Sequence, residues 1–207
     1  MKIKDEYQAE YTEKIKSIHF EIESAIIDYY SLCKIGEITN AFKYNKLTIF
    51  CTKNSLTCLE TIIQCLKKDF CLTVWCLCCD INGSANTIPK LKNIINSKYL
   101  TEPNLIKTPT PNNKCGIFKT LIYARSKYIA HHDFNATFGK ISLDDVFNKF
   151  IEFVNLFNDL LIGGELKMLY TINESKFNKL KANCENGISD LLNGNTYHFF
   201  EKIGGII

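Results

Sequence analysis

Arg125 is the only arginine in the chain; the other 24 of its 25 basic side chains are lysine. Two of the four histidines, His131 and His132, follow it six and seven residues later, and Asp133 comes directly after them. A guanidinium is a planar fork that grips phosphate or carboxylate at two points, which an ammonium cannot do. An imidazole takes up and returns a proton near neutral pH. Together they suit metal-free RNA cleavage. RNA carries its own nucleophile, so one group must deprotonate a ribose 2′-hydroxyl and one cation must hold the charge that develops on the phosphate. A plainer reading fits the same residues. A lysine-biased composition leaves one stray arginine, and histidines at a helix C-terminus gain up to about 1 kcal/mol from the negative end of the dipole.

The element that must position these groups is a helix expected over residues 115–131. Ile117, Leu121, Ala124, Tyr128 and His131 recur at steps of four and three, and Phe118, Ile122, Arg125, Ile129 and His132 do the same one residue on. Both seams begin apolar and turn polar toward the C-terminal end, as in a helix that delivers polar groups at the rim of a core. Helix phase places Arg125 and His132 on one seam, with His131 on the neighbouring one.

The other elements also read as helices. Ile15, Ile18, Ile22, Ile26 and Tyr29 mark a first helix from about Glu6 to Ile35, with Gly36 as its stop. Residues 40–52 fit either a short helix or an extended turn. Ser55 reads as the N-cap of a second helix that ends in the apolar run Phe70–Cys79. Pro89 sits in the first turn of a short third helix. Residues 101–114 carry Pro103, Pro109 and Pro111 and read as a loop, mobile and bordering the cleft. Ser142, with Asp145 three residues on, caps a helix whose apolar face is Val146, Phe150, Phe153, Phe157, Leu160 and Leu161, ended by Gly163 and Gly164. A more polar helix covers about Ser175 to Leu192, and an apolar tail follows from Tyr197. Long helices, short connections and little strand signal predict an all-α bundle.

Composition narrows the function classes. A chain of 207 residues with 46% hydrophobic and 23% charged residues can bury a core, so wholesale disorder is excluded. The net charge of +3 is too small to imply nucleic acid by itself; a basic patch would have to be local. The ten cysteines form no paired C-x-x-C sets at zinc spacing, so no metal site is expected. Cys58 and Cys65 share a helical seam and read as small buried hydrophobes. No apolar run is long enough to span a membrane and the N-terminus has no signal core, which predicts a cytoplasmic protein.

The segment Arg125-Ser126-Lys127-Tyr128-Ile129-Ala130-His131, followed by Asp133, resembles the signature of HEPN domains, especially those of the abortive-infection and toxin–antitoxin branch. That signature reads arginine, polar residue, lysine, two residues, alanine, histidine, and the order of long helices around it is similar over roughly residues 10–165. The resemblance implies a HEPN-like helical bundle over 1–165, with a C-terminal helical extension and tail over 166–207. It implies a metal-independent endoribonuclease of phage defence or of a toxin–antitoxin system, with no cofactor, whose homodimer joins two motifs in one cleft. Arg125 would clamp the scissile phosphate and His131 would act on the 2′-hydroxyl, with Ser126, Lys127, His132 and Asp133 in support. An antitoxin or a nucleotidyltransferase is the partner the resemblance implies besides RNA. Ser126 stands where the family often has asparagine, aspartate or histidine, and Phe134 where one subgroup carries a modified tyrosine. A second reading is a non-catalytic HEPN module that binds nucleotide or RNA, or docks a partner.

Overall fold

Isoleucines spaced by three and four residues put one apolar stripe along a helix, and burying that stripe is what fixes the first element. In a computed structural model of the protein, helix α1 runs Gln8–Asn45 after a 3-10 turn at Asp5–Tyr7. Ile15, Ile18, Ile22 and Ile26 are all buried. Residues 1–45, 53–80, 86–103, 105–114, 116–131 and 141–192 are described; for 39–45, 53–60, 127–131 and 191–192 the description covers the backbone alone. The remaining helices are α2 (Lys53–Cys79), α3 (Ile88–Ile94), α4 (Gly116–His131), α5 (Leu143–Leu160), α6 (Gly164–Tyr170) and α7 (Glu174–Leu192). Among the described residues no strand forms beyond a single bridge between Ile3 and Leu100, so the fold is all-α.

The chain divides into two compact units that interleave in sequence. The first comprises Met1–Glu23 and Cys71–Asn173, and it contains α3 to α6 together with the start of α1 and the end of α2. Its core is built on α5, where Val146, Phe150, Phe153, Phe157 and Leu160 are buried, each contributing on the order of 1.5–3 kcal/mol. The Ser142 hydroxyl accepts the backbone N–H of Asp145 at 3.2 Å and fixes the start of that helix. Its end is fixed by Tyr11, whose hydroxyl donates to the Leu160 carbonyl at 2.8 Å and accepts the Ile162 N–H at 2.7 Å. Phe118 of α4 meets Phe153 edge-on, with ring centroids 5.2 Å apart. The second unit comprises Ser24–Phe70 and the segment from Glu174 onward. There Tyr29 packs on Phe70 at 5.7 Å, and the Cys184 thiol lies 3.8 Å from the Ile27 carbonyl.

Several local expectations change. Gly36 does not end α1, which continues to Asn45; an interior glycine costs only about 1 kcal/mol and is a weak breaker. Ser55 lies inside α2, which begins at Lys53. Cys65 is exposed rather than buried. Residues 46–52, the residues from His132 to Lys140 and the tail from Tyr197 lie outside the described residues. Gly163, at φ +99°, takes a backbone conformation that favours glycine and turns the chain into α6, a helix its short sequence did not announce. Among the described residues no helix is long and apolar enough to cross a membrane.

Candidate functional site

Helix α4 carries the candidate groups. Among its described side chains Phe118, Leu121 and Ala124 are buried, at steps of three. Ile122 and Tyr123 are exposed, by 37% and 62%, so the second of the two expected seams does not stay in the core. This rotation leaves Arg125 half-buried at the margin. Its guanidinium carbon sits 4.3 Å from the ring centroid of Trp75, the only tryptophan of the chain, near the end of α2. Stacking of this kind contributes about 0.5 kcal/mol when exposed and 2 or more when desolvated. Trp75 itself is 9% exposed, and its indole N–H meets no acceptor among the described residues.

Ser126 is exposed, and its hydroxyl donates to the Ile122 carbonyl of its own helix at 2.9 Å. A serine so engaged is not oriented toward a neighbouring reactive group. Lys127 and His131 lie on α4, and His131 is its last helical residue; their side chains are outside the description, as are His132 and Asp133 altogether. Six residues of helix separate Arg125 from His131 by about 9 Å along the axis. Arginine's length covers part of that gap.

A cleft of about 410 Å³ opens where the first unit's parts of α1 and α2 meet. Ser17, Glu21, Cys76, Asp80 and Asn86 supply its polar walls, and Leu72 and Leu77 are among its apolar lining. Two carboxylates make it unsuited to phosphate. The Cys76 thiol is pushed up by partial burial first, then by Asp80 and Glu21, while Arg125 pulls the other way. Cys76 therefore stays protonated near neutral pH and is no activated nucleophile. Cys78 and Cys79 are pushed up further by burial, Cys79 to about 12, and act as small core residues. Among the described residues no three His, Cys, Asp or Glu side chains gather to hold a metal.

The loop of residues 101–114 leads into α4 and is tethered more firmly than its prolines imply. The Asn96 side chain bonds both the N–H and the carbonyl of Ile106, each at 3.0 Å. Lys92 donates to the Thr108 carbonyl and the Thr110 hydroxyl, Thr108 donates to Asp159, and Asn113 donates to the Cys78 carbonyl. The sequence reading missed the partner of Arg125. The only signal was that the sole arginine and the sole tryptophan each sit in a strongly apolar helical stretch. Comparison with protein-family models, curated proteins and solved structures gives no match for this chain.

Proposed function

We propose that the protein is a metal-independent endoribonuclease that uses Arg125 and His131 of α4 as one unit. One observation carries the reading: the sole guanidinium is held by Trp75 at the core margin, on the helix that ends at His131. A cation fixed in place before substrate arrives needs no reorganisation when charge develops. In the proposed step His131 takes the proton of a ribose 2′-hydroxyl, and the 2′-oxygen attacks the adjacent phosphorus. The bond from phosphorus to the 5′-oxygen breaks, and that oxygen leaves with a proton. Arg125 balances the extra negative charge on the phosphate. A second copy of α4 in a homodimer supplies the remaining reach, and phage defence or a toxin–antitoxin pair is the setting the HEPN resemblance implies. The acid–base part of such a unit is worth about 10²–10⁴-fold in rate.

The same stacking favours a second reading, in which Arg125 is a structural clamp and the protein is a non-catalytic HEPN module. Incubation with RNA in EDTA separates them. The first predicts fragments with 2′,3′-cyclic phosphate and 5′-hydroxyl ends; intact RNA under all conditions of folded protein selects the second.

A further inference from the structure

The charge of the chain is strongly uneven. Residues 86–131 hold eight cationic side chains and one carboxylate, Glu102, which is +7, whereas the full chain is +3, leaving −4 for everything else. Elsewhere some exposed lysines pair with carboxylates a turn away, as in Lys2–Asp5, Lys149–Glu152 and Lys181–Glu185. Lys107, Lys114 and Lys119 cannot do so, because no acid lies within four residues of any of them. All three are exposed, and among the described residues none is paired with a carboxylate. Lys107 stands between Ile106 and Thr108, which are held by Asn96 and by Lys92 and Asp159, so its backbone is placed. Lys114 lies two residues before α4 and Lys119 in that helix's first turn. On the outer face of α4, Lys119, Tyr123 and Ser126 follow at steps of four and three, and Tyr123 is 62% exposed. Cations without a carboxylate partner and an exposed aromatic ring are the two features by which proteins hold single-stranded nucleic acid: the cations track phosphate and the ring stacks on a base.

We infer that the loop of residues 101–114 and the outer face of α4 form a track for single-stranded RNA, with Lys107, Lys114 and Lys119 on phosphates and Tyr123 stacked on a base. The inference rests on the RNA reading above and gives it a route by which substrate reaches Arg125. The probe is a fluorescent 2′-O-methyl oligouridylate, which cannot be cleaved by its own 2′-oxygen, titrated in EDTA over a range of salt. The variant Lys107→Glu/Lys114→Glu/Lys119→Glu should lose at least about tenfold in affinity, and its log-affinity against log-salt slope should flatten by about 2, at about 0.7 per phosphate on single strands. Tyr123→Ala should lose roughly fivefold or more with the slope unchanged. The control Lys16→Glu/Lys167→Glu/Lys179→Glu carries the same charge change on other exposed lysines and should bind like wild type. Equal losses in both triple variants, or binding of polyglutamate as tight as of the oligonucleotide, would overturn the track. Failure of the two readings is distinguishable. Cleavage that persists in the first triple variant at wild-type KM sinks the track alone, and lysine-dependent binding without cleavage in wild type sinks the nuclease alone.

Discussion

Asp28→Asn should stabilise the protein above neutral pH and have little effect in acid. In the second unit the Asp28 carboxyl is pushed from 3.8 up to about 7, by burial first and by the Asp69 carboxylate second. The folded state therefore binds a proton that the unfolded state has released between those two values. Stability falls as pH rises through that window and levels off above it, because the charge must then be carried in a poorly solvated place. At about 1.4 kcal/mol per decade the gap corresponds to roughly 4 kcal/mol. Asp28 is only partly buried, so water and relaxation reduce this to about 1–3 kcal/mol. Asparagine keeps the shape and removes the charge. Urea unfolding at constant ionic strength should give the variant that gain near pH 8, shrinking toward zero near pH 4, where aspartate is protonated in the fold as well. Asp69→Asn removes only the second cause and should give a smaller gain with the same sign. A variant no more stable than wild type near pH 8, or a gain independent of pH, would refute the placement of Asp28.

Arg125→Ala should cost about 0.5–2 kcal/mol of stability, and a double-mutant cycle with Trp75→Leu should return most of that as coupling; additive losses would mean the stack contributes nothing. Tyr11→Phe leaves the Leu160 carbonyl and the Ile162 N–H without their buried partner and should cost about 1–3 kcal/mol in denaturant unfolding, against near-neutrality if water replaces the hydroxyl. Asn96→Ala removes both hydrogen bonds that hold Ile106, so limited proteolysis should cut residues 101–114 faster than in wild type; an unchanged cutting pattern would show that Lys92 and Asp159 suffice.

What the sequence revealed follows from the range of each interaction. Ile15, Ile18, Ile22 and Ile26, and the phenylalanines of α5, were legible because helical period and burial are both local patterns. The Ser142 cap and the proline in the first turn of α3 were legible for the same reason, since each involves residues within one turn. Gly36 misled because a single interior glycine is only a weak helix breaker. The stack of Arg125 on Trp75 joins residues 50 positions apart, and periodicity carries no information about which helices meet. Of the two seams drawn along α4, Leu121 and Ala124 of one and Phe118 of the other are buried, whereas Ile122 is exposed, and their members from residue 127 onward lie outside the described side chains. The local excess of positive charge over 86–131 was countable from sequence, but the net charge of the whole chain concealed it.

The central claim is that Arg125 and His131 act together on RNA, and single-turnover cleavage in EDTA tests it most directly. Wild type, Arg125→Ala, His131→Ala, the double variant and His132→Ala are compared, each first shown folded by its unfolding transition. The account predicts that the two single changes each lower the rate by about 10²-fold or more, and that the double change costs little beyond either. His132→Ala should cut nearly as wild type does. Folded Arg125→Ala and His131→Ala proteins that cut RNA at the wild-type rate would contradict the account.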